Sequence, residues 1–244
     1  MIKIDDISKK YGSEELFSHL TAEFEEHKVS CILGASGVGK TTLLNILAGL
    51  CLPDSGRVII SSDSEPDGEK RCSYVFQEPR LLPWYNVHDN LDLIARNVRK
   101  VHGKNDKQKG IYSKEERDEL IKEQLKLVGL ENYEYSLLSE LSGGMLQRVS
   151  LSRAFLYPAD ILFLDEPFKE QDTKLKNELY ETFFREYEND SKRRTVIFVT
   201  HDISEAQKLA DNIFVLAGRP AEIVGKFSRD EFSDDLKTEI LYLL

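Results

Sequence analysis

The sequence predicts an α/β fold in which buried strands alternate with helices. Short apolar runs, suited to strands that are covered on both faces, recur along the chain, and amphipathic stretches at helical spacing follow them. One such run, Val29–Leu33, leads directly into a glycine-rich turn that opens a helix. Alternation of this kind builds a sheet with helices packed on its faces, so we expect an α/β core with parallel strands.

Four strands and one helix are predicted before residue 80. The strand segments are rich in β-branched or alternating apolar residues and lie at 2–7, 29–33, 57–60 and 73–76. The helix is expected over 41–50, where apolar side chains recur at helical spacing until Gly49 and Pro53 interrupt them.

The pattern changes between about residues 83 and 157, where strand-like runs vanish. Two segments, 90–99 and 115–130, carry apolar residues at helical spacing amid many charges, so we expect a helical insert. The polar, glycine-bounded segment 103–110 between them fits a solvated loop, with a docking surface as the alternative.

Strand signals return after this insert. Residues 161–164 and 195–199 are almost wholly apolar, and an amphipathic helix follows each of them, as in a covered parallel sheet. The segment 228–244 is too short for an appended domain and predicts a terminal helix only.

Composition excludes several classes of protein. No apolar run of the 244 residues approaches the roughly 18–20 needed to cross a bilayer, and the N-terminus lacks a secretory signal, so we expect a cytosolic chain. A formal net charge of −10 argues against a nucleic-acid partner. Cys31, Cys51 and Cys72 form no CxxC pair, so neither a zinc site nor a disulfide framework is expected.

A phosphate-binding loop is predicted where the strand Val29–Leu33 meets the next helix. The pattern G-x-x-x-x-G-K-T spans Gly34, Ala35, Ser36, Gly37, Val38, Gly39, Lys40 and Thr41, with Thr42 beside it. The glycines let backbone N–H groups crowd around phosphate oxygens, and Lys40 adds a charge for the β- and γ-phosphates. Thr41 would place its hydroxyl on magnesium. The alternative is a plain glycine turn between strand and helix.

A pair of acids, Asp165 and Glu166, follows the predicted strand at 161–164. Ligands gather at the carboxyl ends of such strands, so we expect Asp165 to hold magnesium, directly or through water. Glu166 is then positioned to orient or deprotonate the water that attacks the γ-phosphate. Two acids that merely end a strand are the structural alternative.

The segment L-S-G-G-M-L-Q-R at 141–148 resembles the signature of ATP-binding-cassette ATPases. Ser142 suits the cap of a helix that runs through Arg153, and Gly143 and Gly144 leave room for a γ-phosphate at its positive end. Taken alone, Ser-Gly-Gly predicts only a helix start after a loop. The resemblance extends over nearly the whole chain, and the motifs occur in the family's order.

Three further residues gain roles from this resemblance. Tyr11 matches the aromatic residue on which the family stacks adenine, and Gln77 matches the glutamine that contacts magnesium or the attacking water. His201 matches the histidine that senses the γ-phosphate. A tyrosine at a turn and a lone histidine are otherwise often structural. The resemblance thus implies ATP and Mg²⁺ as cofactors, catalytic roles for Glu166, His201, Gln77 and Lys40, and metal ligands from Thr41, Gln77 and Asp165.

The resemblance also implies an architecture: one ATPase domain over 1–244, built on a phosphate-loop NTPase core with an antiparallel β subdomain. Its RecA-like core is expected at about 1–82 and 158–227, its α-helical signature subdomain at 83–157, and a terminal helix at 228–244. Two cassettes would pair head to tail, each holding ATP between its own phosphate loop and the partner's Ser-Gly-Gly segment. One protomer cannot complete a site, and a homodimer is the simpler pairing.

Residues 75–84 look like the importer branch that serves nitrate, sulfonates and taurine. Leu81, Leu82 and Trp84 are available to a partner's helix, or they pack the helical insert against the sheet. The expected function is therefore the ATP-hydrolysing subunit of an importer, held on the inner face of the membrane by permease subunits and served indirectly by a solute-binding protein.

One departure from the family supports a second hypothesis, a soluble cassette that acts as a regulatory or scaffolding switch. After Pro167 and Phe168 the family has a small, apolar run that leads to an aspartate. Here the run Lys169-Glu170-Gln171 leads to Asp172. No catalytic group is lost, but communication between the two sites would change.

Overall fold

The computed structural model describes residues 1–60, 70–98, 112–169, 173–190, 193–233 and 235–244. The strands are β1 (Ile2–Tyr11), β2 (Glu14–Phe24), β3 (Val29–Leu33), β4 (Ser55–Ile60), β5 (Cys72–Val75), β6 (Ile161–Asp165), β7 (Thr195–Thr200), β8 (Asn212–Ala217) and β9 (Glu222–Ser228). The helices are α1 (Lys40–Leu47), α2 (Val87–Ala95), α3 (Lys114–Leu127), α4 (Gly143–Leu156), α5 (Thr173–Asn189), α6 (Ile203–Leu209) and α7 (Leu236–Leu243).

The chain forms two compact units. The first comprises Met1–Tyr74, Asp160–Glu166 and Arg193–Leu244, and it contains both sheets. The second comprises Val75–Ala159 and Pro167–Lys192, and its regular elements are helices. Helix α5 belongs to this second unit, although it lies between two core strands in the sequence.

The main sheet has six strands in the order β5-β6-β7-β3-β8-β9. Strand β3 pairs in parallel with β7 and β8, β6 pairs in parallel with β7, and β9 runs antiparallel to β8. Because β3, β6 and β7 are parallel, their carboxyl ends meet at one edge of the sheet, where Leu33 pairs with Thr200 and Asp165 with Val199. This edge is where ligands bind in open α/β sheets.

A second sheet has three antiparallel strands in the order β2-β1-β4. Its apolar side chains join those of α1 and the main sheet in one core, which includes Ile4, Phe17, Phe24, Leu43 and Phe163. This common core fixes the position of the loop between β3 and α1, since both flanking elements are buried in it.

The second unit packs α2, α3 and α4 around a separate apolar core that includes Leu91, Ile121 and Val149. Side-chain caps define where its helices begin: the Asn86 side chain accepts a hydrogen bond from Asp89 N at the start of α2. Ser113 and Glu116 form a capping box at the start of α3.

Most sequence predictions agree with these elements, with shifted bounds. The helix expected over 41–50 is Lys40–Leu47 and is followed by Gly49 at φ 72°, and the helix expected over 90–99 begins earlier, at Val87. In the described part of 83–157 the only strand pairing is an isolated bridge between Asn86 and Leu137. The segment 228–244 contains a short 3₁₀ turn and α7.

Some predictions lie outside the described residues, namely the polar segment 103–110 and the positions Arg99, Glu170, Gln171 and Asp172. In the portion that is described, no helix is both long and apolar enough to cross a membrane.

Candidate functional site

The loop between β3 and α1 has the backbone of a phosphate cradle. Gly37 and Gly39 hold φ angles of 81° and 109°, which favour glycine because a Cβ would be strained there. At Gly34 an added Cβ would lie 2.5 Å from Leu216 O, so a side chain has no room. The loop leads directly into the N-terminus of α1, where backbone N–H groups suit an anion.

Lys40, the first residue of α1, folds back over this loop. Its Nζ donates hydrogen bonds to Gly34 O at 2.9 Å and to Ala35 O at 3.0 Å, and it lies 3.5 Å from Glu166 Oε1. The side chain is only 4% exposed, so its charge acts in a largely desolvated setting.

Thr41 and Asp165 form the oxygen-rich part of the site. The Thr41 hydroxyl donates to Asp165 Oδ1 at 2.9 Å, while Tyr74 Oη lies 3.5 Å from Asp165 Oδ2 and donates to Asn45 Oδ1 at 3.0 Å. Burial, and to a smaller extent the charge of Glu166, raises the pKa of Asp165, although the Thr41 and Tyr74 hydrogen bonds oppose this.

This donor set fits Mg²⁺, which takes hydroxyl and carboxylate oxygens together with water and phosphate. Within the described ranges no three His, Cys, Asp or Glu side chains converge on a metal position. A divalent cation beside Thr41 and Asp165 would therefore draw most of its remaining ligands from phosphate and water.

The carboxylate of Glu166 lies between the side chains of Lys40 and His201. The N–H of Glu166 donates to Val199 O at 3.1 Å, and its Oε2 lies 3.3 Å from His201 Nδ1. The backbone has φ 41°, an uncommon conformation for a residue that is neither glycine nor asparagine. A carboxylate between a lysine and a histidine is positioned to accept a proton or to orient a water molecule.

Tyr11 ends β1, and Gly12 at φ 61° follows it. The phenol is 55% exposed, and Lys9 Nζ lies 5.5 Å from the ring centroid. An exposed ring of this kind offers a face for stacking.

A pocket of about 360 Å³ borders the phosphate loop. It is lined by Ala35, Ser36, Val38, Leu216, Ala217, Gly218, Arg219 and Leu244.

In the second unit, Ser142 caps helix α4, because its Oγ accepts a hydrogen bond from Met145 N at 3.3 Å. Gly143 is exposed, and an added Cβ there would meet nothing within 4 Å. At Gly144 an added Cβ would lie 2.4 Å from Leu175 Cδ1. The exposed start of α4 thus presents free N–H groups that suit an anion.

The structure brings Lys40, Thr41, Asp165, Glu166 and His201 together within the first unit. Gln77, Ser142, Gly143 and Gly144 belong to the second unit, where Gln77 is exposed just after β5. Sequence reasoning did not identify Tyr74 as a neighbour of Asp165, or Asn45 as the acceptor of the Tyr74 hydroxyl. Polar residues in a strand next to the acid-bearing strand, and on the helix after the phosphate loop, were the available signal.

Comparison with known proteins identifies similar chains over most of the length. A family model described as ABC transporter matches residues 17–169. The chain is 34% identical over 228 residues to the aliphatic sulfonates import ATP-binding protein SsuB of Bacillus thuringiensis subsp. konkukian, across 91% of this chain and 83% of that relative. It is 33% identical over 226 residues to the uncharacterized ABC transporter ATP-binding protein MJ0412 of Methanocaldococcus jannaschii, across 91% and 79% of the two chains.

Among solved structures, a dimer of the ATP-binding cassette MJ0796 in a post-hydrolysis state, bound to ADP and Pi, matches with a TM-score of 0.75 at 27% identity. The match covers 95% of this chain and 100% of that chain. The likeness therefore extends to both sheets and to the helical unit.

Proposed function

The chain belongs to the ABC transporter family and is an ATP-binding cassette ATPase, and from this premise we propose that it powers the import of a small solute. In this proposal two cassettes pair, ATP closes the dimer, hydrolysis reopens it, and the movement drives permease subunits in the membrane. The observation that carries the importer assignment is the similarity, over 91% of the chain, to an aliphatic sulfonate import protein.

We assign nucleotide binding to the phosphate loop and its surroundings. The loop N–H groups would bind phosphate oxygens, the Lys40 ammonium would exchange its carbonyl partners for the β- and γ-phosphates, and the exposed ring of Tyr11 would stack on adenine. The assigned set is Tyr11, Gly34, Ala35, Ser36, Gly37, Val38, Gly39, Lys40, Thr41 and Thr42.

Hydrolysis is assigned to the acids and the histidine beside this loop. Glu166 would orient or deprotonate the attacking water, and His201, whose Nδ1 lies 3.3 Å from Glu166 Oε2, would contact the γ-phosphate. Thr41 and Asp165 would hold Mg²⁺, and Gln77 is proposed as a further contact to the metal or the water. Bound Mg²⁺ neutralises phosphate charge.

The complete site needs a second cassette in this proposal. Ser142, Gly143 and Gly144 form the positively polarised start of α4, where Ser142 and Gly143 are exposed and Gly144 is buried, and this start suits the γ-phosphate held by the opposite protomer. The dimeric form of the similar cassette MJ0796 with ADP and Pi supports such pairing. A homodimer is the simplest arrangement, because one chain carries both half-sites.

An exposed apolar surface in the second unit supports contact with a permease. The segments around Asn86 and Leu137 lie side by side, joined by a backbone bridge, and the ring of Tyr135 stacks on His88 at 5.5 Å. Trp84 is 70% exposed and Tyr135 66%. Large apolar side chains that remain in water mark contact surfaces, so we propose that Trp84, Tyr135 and Leu137 meet a membrane subunit.

The solute is proposed to be a small organic or inorganic anion such as a sulfonate, taurine or nitrate. The named function of the SsuB relative supports a sulfonate. A separate solute-binding protein and the permease would select it, and the cassette would lie on the inner face of the membrane through the permease.

Hydrolysis by a composite site is tested with the purified chain. Magnesium-dependent ATPase activity should rise more steeply than linearly with protein concentration, because only dimers turn over. A strictly linear dependence down to concentrations where the chain is monomeric would contradict the composite site.

Association with a permease is tested by co-purification from the cell's own membranes. The tagged chain should bring down a transmembrane protein, and Trp84→Ser should lose it. Tyr242→Ser is the matched control, since Tyr242 is 87% exposed on α7 in the first unit. ATP-dependent dimerisation without any membrane partner, and with negligible turnover, would instead favour the regulatory switch.

A further inference from the structure

Thr200 is the last residue of β7 and directly precedes His201. It is 1% exposed, and three groups bind it. Its carbonyl accepts from Gly34 N at 3.3 Å, its hydroxyl oxygen accepts from Asp202 N at 3.1 Å, and its hydroxyl donates to Glu205 Oε2. One buried threonine therefore joins the phosphate loop, the turn after β7 and helix α6.

These contacts clamp the turn that carries His201. On the far side of the histidine, Asp202 Oδ1 accepts from Ser204 N at 2.9 Å and from Glu205 N at 3.3 Å, which caps α6. The His201 side chain is 45% exposed, so packing alone restrains it weakly. The backbone beside His201 is held by the Thr200 hydroxyl and by the Asp202 cap.

The same stretch of β7 also positions Glu166, because Val199 O accepts the Glu166 N–H at 3.1 Å. The contact of 3.3 Å between His201 Nδ1 and Glu166 Oε2 is thus set by two successive residues of one strand. A small rotation of the turn after Thr200 would lengthen it, and a misplacement of about 1 Å costs up to about 100-fold in rate.

We propose that Thr200 is a positioning residue for ATP hydrolysis, whose hydroxyl holds His201 in place against Glu166 through the hydrogen bonds to Asp202 N and Glu205. This inference rests on the proposed roles of Glu166 and His201. A hydroxyl is required because it accepts one hydrogen bond and donates another from a single buried atom. Valine has the same shape and does neither, whereas serine does both.

The test compares Thr200→Val and Thr200→Ser in the full chain by steady-state ATPase kinetics. Thr200→Val should lower kcat by about 10-fold or more and leave KM for ATP within about 3-fold, because the phosphate loop is intact. Thr200→Ser should keep kcat within about 3-fold of the parent. Equal kcat in Thr200→Val and the parent would overturn the proposal.

Thr195→Val is the matched control. Thr195 begins the same strand, is 3% exposed, and its Oγ1 also accepts a backbone hydrogen bond, from His27 N at 3.0 Å. Thr195 lies at the opposite end of β7 from His201, so the kcat of Thr195→Val should match that of the parent. A loss of kcat equal to that of Thr200→Val would show a general effect of removing a buried hydroxyl and would reject a positioning role.

A double-mutant cycle with His201→Ala separates this inference from the proposed function. If Thr200 acts through His201, Thr200→Val should have almost no effect in the His201→Ala background, whereas independent effects would multiply. If the parent does not hydrolyse ATP at all, the proposed function fails. The role of Thr200 can then still be tested by measuring the ratio of the affinity for ATP to the affinity for ADP. This ratio should fall equally in Thr200→Val and His201→Ala.

If Thr200→Val does not fold, Glu205→Ala replaces it, since it removes the acceptor and leaves the threonine. Its kcat should fall several-fold with unchanged KM, and full activity would overturn the proposal.

Discussion

The carboxylate of Glu166 lies 3.3 Å from the imidazole Nδ1 of His201, at the edge where β6 and β7 end. The backbone of Glu166 has φ 41°. Glu166 immediately precedes Pro167, and a residue that precedes proline favours extended conformations. Such strain persists only where surrounding contacts enforce it, and it concentrates at functional sites. Here the N–H bond to Val199 O and the contacts with Lys40 and His201 hold the carboxylate in place.

Glu166→Gln should leave ATP binding unchanged and lower turnover by about 100-fold or more, because the amide cannot take the proton of the attacking water. Without hydrolysis the closed dimer should accumulate. Size-exclusion chromatography with Mg²⁺ and ATP checks this, with ADP as the control nucleotide. Parental turnover in the variant would reject the proposed base.

Lys40→Ala should weaken ATP binding by about 10-fold or more, since hydrogen bonds to a charged group contribute about 1.5–3 kcal/mol. The loss should be larger for ATP than for AMP, which lacks the β- and γ-phosphates. Lys226→Ala, which removes an exposed lysine of β9, is the control. Equilibrium titration with a fluorescent nucleotide measures both, and undiminished affinity in Lys40→Ala would exclude a phosphate-binding role.

The strand, glycine-rich turn and helix around residues 34–41 were predictable because their information is local. The glycine spacing, the preceding strand Val29–Leu33 and the following helix are contiguous in the sequence, and the structure has them in that order. The contact of Asp165 with Tyr74 was not predictable. It joins residues 91 positions apart and depends on which strands become neighbours in the sheet and in what register, which local periodicity does not show.

The division of the chain into units was predictable only in part. The helical character of the insert follows from its periodicity, but α5 groups with the second unit although it lies between β6 and β7 in the sequence. Its apolar face, which includes Phe183, packs on Phe155 and Phe168 of that unit. Periodicity shows that a helix has an apolar face, but not what covers it.

Asp92 should make the second unit sensitive to acid. Burial would raise its pKa, but hydrogen bonds from Arg117 at 2.6 Å and from Arg96 outweigh this and lower it. A lowered folded-state pKa means that the stabilisation is present above the unfolded value of about 3.9 and is lost as pH falls through the folded value.

Asp92→Asn should therefore cost about 2–3 kcal/mol at pH 7, below the range for fully buried pairs because Arg96 is half exposed. The difference from the parent should shrink as pH falls below about 4, because the unfolded parent then binds a proton that folded Asp92, with its lowered pKa, resists. Urea unfolding at pH 7 and pH 3 measures this, with the exposed Asp230→Asn as control. A deficit that is equal at both pH values would show that the ion pairs are not its source.

Gly144 and Gly143, adjacent at the start of α4, should respond oppositely to alanine. At Gly144 the new Cβ would lie 2.4 Å from Leu175 Cδ1 and 2.8 Å from its Cγ, so the whole side chain must move. Overpacking of this kind costs about 1–3 kcal/mol, more than the roughly 1 kcal/mol that alanine gains over glycine in a helix. Gly143→Ala meets nothing within 4 Å and should keep or increase the free energy of unfolding.

Because the clash at Gly144 involves one side chain, Leu175→Ala should relieve it. Leu175→Ala alone should destabilise the chain by leaving a cavity, and the double variant with Gly144→Ala should lose less than the sum of the two single changes. Urea unfolding of the four proteins checks this. Strict additivity would mean that Leu175 does not require glycine at position 144, and the need for Gly144 would then lie only in the approach of a ligand to the start of α4.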